Sequence, residues 1–158
     1  MGVWLGPRGK RELSIYKVGD SGTFTAKADD WIGASAAKVP TIGYTGGLSV
    51  SLSKAQYATD PVGIAVSNSA YDLTGYTKVK VNVTGISGTT HYAVYVSTSN
   101  TEFNMRSDVN KYDQAAGTIE LDVSQLPAGN YYFGIGVCAY GEPATTAVVT
   151  ISSIKATK

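Results

Sequence analysis

Apolar and polar residues alternate with a period of two in segment after segment of this chain, and nothing else in it narrows the possible folds as far. Leu48, Val50 and Leu52 alternate with Ser49, Ser51 and Ser53, and Val79, Val81 and Val83 with Lys78, Lys80, Asn82 and Thr84. Tyr92, Val94 and Val96 alternate with Ala93, Tyr95 and Ser97, and Ile119, Leu121 and Val123 with Glu120 and Asp122. Successive side chains of a strand point to opposite faces, so each segment reads as a strand with one face on a core. Val62, Ile64 and Val66 read as a further inward set.

Weaker signals complete the pattern. Leu13–Val18 and Thr23–Trp31 read as strands around the turn Gly19-Asp20-Ser21-Gly22. Gly33–Gly47 and Lys54–Pro61 read as loops, Ser97–Gly117 as a long polar loop, and Leu126–Asn130 as a turn before the strand Tyr131–Tyr140. A final strand begins near Thr146. Its inward set Val149, Ile151 does not continue in parity to Ile154, and one extra residue at Ser152-Ser153 restores it, which predicts a β-bulge there. About nine strands, without helical periodicity or internal repeat, imply two packed antiparallel sheets. The predicted fold is all-β, an antiparallel β-sandwich of jelly-roll type. Residues 1–12, Gly-rich and basic at Arg8, Lys10 and Arg11, read as an arm for attachment or oligomerisation. Residues 13–158 read as one domain. The expected core holds Leu48, Val50, Leu52, Ile64, Val79, Val81, Val83, Val94, Ile119, Leu121, Phe133 and Ile135.

Composition narrows the function. A chain of 158 residues hides roughly two-thirds of its surface on folding, enough for a core without staples. The single cysteine, Cys138, cannot form an internal disulfide. Only 16% of residues are charged and the formal net charge is +1, so no field draws in nucleic acid or an anionic membrane. No apolar run has the length of a membrane span. The N-terminus lacks the apolar stretch of a secretory signal, so the chain is expected to stay where it is made or to leave by a route such as lysis.

Catalytic chemistry is hard to place. His91 is the only histidine and opens a strand, and Cys138 reads as a small packing residue. One histidine and one cysteine are too few for a zinc site. No nucleophile elbow or phosphate-binding loop occurs, and Gly134-Ile135-Gly136 lies inside a strand. Glycoside cleavage needs two convergent carboxylates. Asp29-Asp30 would point to opposite faces of a strand, and Glu102 and Asp108 read, like them, as solvated or capping loop residues. The expectation is a protein that is not an enzyme and needs no cofactor.

Aromatic residues stand out instead. Trp31 and eleven tyrosines sit on a weakly charged, hydroxyl-rich chain, and a ring with a polar tip suits sugars and protein interfaces alike. Trp31, Tyr95, Tyr132 and Tyr140 are the candidates for stacking, with Asn104 and Asp108 as hydrogen-bond partners. Tyr95 and Tyr132 are chosen because their parity opposes the inward sets. Gly134 and Gly136 beside Tyr132 read either as a recessed floor for another molecule or as relief of crowding beneath a packed loop.

Tyr71–Val81, Leu121–Ile135 and the closing strand Val148–Ala156 resemble the C-terminal jelly-roll modules of tailed-phage tail fibres and baseplate receptor-binding proteins, an architecture shared with carbohydrate-binding modules. The likeness covers residues 71–157 well and 23–70 loosely, and the opening residues 4–6 and 13–17 look like the leaders of small phage structural proteins. The resemblance implies a virion structural protein of tail fibre, baseplate or head decoration, located in the virion and docked to other virion proteins. A homo-oligomer, with a trimer favoured, and a host-surface glycan as ligand go with it. The alternative is a carbohydrate-binding module of a secreted bacterial protein.

Overall fold

The structure, a computed structural model, describes residues 12–29, 37–88, 90–101, 105, 108–141 and 144–158. Every element among them is a strand: β1 Glu12–Lys17, β2 Phe24–Ala28, β3 Thr41–Gly43, β4 Leu48–Lys54, β5 Val62–Ser67, β6 Tyr71–Asp72, β7 Lys78–Ser87, β8 Thr90–Ser97, β9 Val109–Asp113, β10 Gly117–Asp122, β11 Asn130–Ala139 and β12 Thr145–Thr157. Two antiparallel sheets form a jelly-roll β-sandwich. The first runs β10-β7-β12-β4-β3, with β1 also on β12, and the second runs β2-β5-β11-β8-β9, with β6 also on β11. Of the arm read at residues 1–12, only Glu12 is described, and it opens β1.

The first sheet follows the alternation closely. Leu48, Val50 and Leu52 of β4, Val79, Val81 and Val83 of β7, and Ile119 and Leu121 of β10 are all buried between the sheets. The bulge in β12 is present. Its register against β7 passes from Thr150↔Gly85 to Ile151↔Val83 and then to Ser153↔Asn82, so Ser152 is the extra residue on β12 and Thr84 a matching one on β7. Ser152 also marks a change of neighbour, because residues up to Ile151 pair with β4 and residues from Ser153 pair with β1. Ile151, Ile154 and Ala156 are consequently all buried.

The central strands β5, β8 and β11 of the second sheet are buried on both faces, and here several readings need correcting. Val62, Ile64 and Val66 are buried but do not face the sandwich interior. The β5–β11 register places Ile64 opposite Gly136 and Val66 opposite Gly134, and residues directly opposite share a face. Phe133 and Ile135 fill the interior, so Val62, Ile64 and Val66 lie on the outer side and small Ala65 faces inward. On that outer side Ile64, Val66, Ala93 and Tyr95 pack with Met105, which is wholly buried. The Met105 amide donates to the Thr101 carbonyl at 3.0 Å. A Cβ on Gly134 would lie 2.9 Å from both Met105 Sδ and Ile64 Cδ1, so at this position the glycine makes room for a covering residue of the same chain.

Two stretches read as loops carry edge strands. The segment read as a continuous loop from Ser97 to Gly117 contains β9, paired with β8. Gly33–Gly47 contains β3, paired with β4. Both strands are short, and an edge strand can be polar on both faces, which erases the alternation that would reveal it. The strand read to Trp31 ends at Ala28.

Several tyrosines serve the frame. Tyr16, Tyr92, Tyr95 and Tyr131 are buried. The Tyr92 hydroxyl donates to the Ala115 carbonyl at 2.6 Å, and that of Tyr131 to the Pro127 carbonyl at 2.6 Å, each tying a turn to the core.

Two glycines and one core ring test this packing. A Cβ on Gly63 would meet the Lys38 carbonyl oxygen at 2.4 Å and Pro40 Cδ at 2.7 Å, atoms held by backbone and ring. Gly63→Ala is expected to cost about 1–3 kcal/mol by overpacking, and Gly134→Ala about 1 kcal/mol or less, because the ends of Met105 and Ile64 can move. Phe133→Ala should cost about 3–5 kcal/mol. Urea unfolding midpoints of the three variants give the order.

Candidate functional site

The outer face of the second sheet is built in cross-strand rows. Val66, Gly134, Tyr95 and Asn110 form one, Ile64, Gly136, Ala93 and Tyr112 the next, and Val62, Cys138 and His91 a third. Met105 packs against the first two, on Ile64, Val66, Ala93 and Tyr95. Around the third row an open cleft of about 540 Å³ is lined by Asp60, His91, Tyr112, Asp113, Gln114, Cys138 and Tyr140.

The His91 and Tyr140 rings stack with centroids 3.9 Å apart and planes 6° from parallel. Cys138 lies two residues before Tyr140 on the same parity and directly opposite His91, which brings the two rings together. Tyr112 stands on the edge strand β9, 55% exposed, with its ring edge-on to Tyr95. Asp113 Oδ1 accepts the amides of Gln114 and Ala115 at 2.7 and 3.2 Å, so the turn after β9 fixes that carboxylate.

Lys54 braces the other wall. It continues the inward parity of β4 past Leu52 and is almost fully buried at the end of the sandwich. Its Nζ lies 2.7 Å from Asp60 Oδ1 and also donates to the Gly141 carbonyl, joining Asp60 to the residue that follows Tyr140. Removing one partner of such a buried charge strands the other, so the bridge sets geometry more than it adds stability.

Burial pushes the Cys138 thiol up to about 11, with Asp60 adding to the rise and Lys54 opposing it. At neutral pH the sulfur is therefore protonated and a poor nucleophile. Among the described residues no group of three or more His, Cys, Asp or Glu side chains could hold a metal ion. The cleft offers aromatic faces, two carboxylates and an amide, a set suited to holding a molecule that is apolar on its faces and hydroxylated at its rim.

The residues chosen from sequence fare unevenly. Tyr140 lines the cleft. Tyr95 has the outward parity assigned to it but is wholly buried, in the cluster with Met105, and presents no stacking face. Tyr132 is half-buried against the same cluster. Asp108 Oδ2 accepts the Thr98 amide at 2.9 Å, which makes it a cap of the turn after β8. Trp31 and Asn104 lie outside the described residues. Asp29, read as a solvated loop carboxylate, is buried beside the start of β5, its amide donating to the Val62 carbonyl. The carboxylates that topology does bring to one cleft, Asp60 and Asp113, are far apart in sequence and went unread, as did Tyr112 and Gln114. The register of β8 with β9 and β11 brings Tyr112 and Asp113 alongside His91 and Tyr140, and the Lys54 ion pair fixes Asp60.

No protein-family profile and no curated protein matches the chain. Among solved structures, the K1 cleaved adhesin domain of Lys-gingipain from Porphyromonas gingivalis superimposes with a TM-score of 0.52 at 18% identity, over 92% of this chain and 95% of that one. The K2 cleaved adhesin domain of Lys-gingipain gives 0.39 at 20% identity, over 94% and 91%. A carbohydrate-binding module specific for non-crystalline cellulose gives 0.34 at 14% identity, over 82% and 86%. The K1 likeness establishes a shared sandwich fold.

The thiol makes a pH prediction. Cys138 titrates near 9 when unfolded and at about 11 when folded, so its contribution is fully present below pH 9 and is lost as pH rises from 9 to 11. Tyr92, raised by burial and by Asp113 from 10.0 to about 12, adds a second loss over the next window. Urea midpoints measured from pH 8 to 11.5 should fall with rising pH, and Cys138→Ala should remove the earlier part of the decline.

Proposed function

We propose that this protein is a non-catalytic binding domain that takes a carbohydrate in the cleft of Asp60, His91, Tyr112, Asp113, Gln114 and Tyr140. The observation that carries the reading is the convergence of an exposed tyrosine and a stacked His–Tyr pair with two carboxylates and an amide in one open cleft. A sugar ring stacks its C–H face on an aromatic ring and gives its hydroxyls to carboxylate and amide acceptors. The protonated state of Cys138 at neutral pH argues in the same direction, away from covalent chemistry.

A binding module of the kind carried by bacterial surface and secreted proteins is the preferred setting. The sandwich shared with an adhesin domain over nearly the full length of both chains supports it. The resemblance to tailed-phage modules rests on strand-and-turn segments that a sandwich of this kind needs for its own folding, so the virion reading is the weaker of the two.

Glycan-array screening followed by calorimetric titration tests the proposal. Tyr112→Ala and Tyr140→Ala are each expected to weaken binding about 3- to 10-fold, the loss of one stacking contact. Tyr132→Ala should leave affinity unchanged, because that ring packs against the Met105 cluster. Absence of binding to any glycan, or equal binding by all three variants and the wild type, overturns the reading.

A further inference from the structure

Ten described positions have a left-handed backbone; nine are glycine and the tenth is Tyr57, with φ 63°. Tyr57 is the third residue of the turn Ala55–Ala58, which is closed by the Ala58 amide on the Ala55 carbonyl at 3.0 Å. A positive φ at that position favours glycine, and an aromatic residue there carries steric strain that glycine would not. The residue is 83% exposed, so burial in the core does not account for its presence. Backbone strain of this kind is a signature of functional loops.

The position of the turn matters. It lies between Lys54 and Asp60, whose ion pair closes the base of the loop on the wall of the cleft. Two residues separate Tyr57 from Asp60, so the Cα atoms of the two lie within about 11 Å of each other. We propose that Tyr57 is a second aromatic platform beyond the cleft mouth, and that the ligand is therefore an extended glycan chain of several sugars and not a single terminal residue. The inference rests on the reading of the cleft as a carbohydrate site.

The experiment is a calorimetric comparison of wild type, Tyr57→Gly and Tyr57→Phe. The probes are glucose, N-acetylglucosamine and mannose oligomers of one to six units, with thermal midpoints recorded alongside. Wild-type affinity is expected to rise about 10-fold or more with chain length in the series that binds. Tyr57→Gly should abolish that rise while leaving monosaccharide affinity and the thermal midpoint unchanged or the midpoint raised, and Tyr57→Phe should preserve the rise. A rise retained in Tyr57→Gly, or a lowered midpoint in that variant, overturns the role of Tyr57 and leaves the cleft reading standing. Binding of none of the three series by the wild type overturns both.

Discussion

The thirteen residues of β12 form the spine of the first sheet, and one unpaired residue within them governs which way the spine faces. Upstream of Ser152 the strand buries Ala147, Val149 and Ile151, and downstream it buries Ile154 and Ala156. Without the extra residue the second half would turn Ile154 to solvent and Ser153 to the core, because a slip of one flips every side chain. The same point hands the edge of β12 from β4 to β1, and Ser152 Oγ accepts from Asn82 Nδ2 at 2.8 Å. A local irregularity thus lets one long strand serve two partners and keep a single apolar face.

The second sheet solves a different problem. Its central strands β5, β8 and β11 carry apolar or small residues on both parities and are buried on both sides. One side meets the first sheet across Phe133 and Ile135, and Met105 packs against the other over Gly134. Around the row of Val62, Cys138 and His91 the outer face opens into the cleft, with the stacked His91–Tyr140 pair and Tyr112 on its walls. The Lys54–Asp60 bridge closes the base of the loop that carries Tyr57 beside it. Candidate site and outer core are parts of one surface.

How much of this can be read from residues alone depends on the sheet. In β4, β7 and β10 the hydroxyl and charged residues opposite each apolar set leave one possible inward face, so strand, parity and core follow directly. In β5 the residues Val62 to Val66 are all apolar or small, and parity cannot be chosen from them; the pairing of Val66 with Gly134 chooses it. Tyr95 shows the same limit. Its outward direction is legible from Val94 and Val96, but its burial depends on Met105, ten residues away and packed against it by the fold.

By itself, then, the chain's alternation determined an all-β sandwich, its core in the first sheet and the bulge at Ser152, because a period of two and a one-residue parity break are local properties of a strand. Tertiary structure decided the edge strands β3 and β9, the covered outer face and the cleft. Asp60, His91, Tyr112, Asp113 and Tyr140 come from four separate stretches, and none carries a local pattern that points to the others. Cross-strand register and a single buried lysine bring them together, and register is set by pairing between segments distant in the chain.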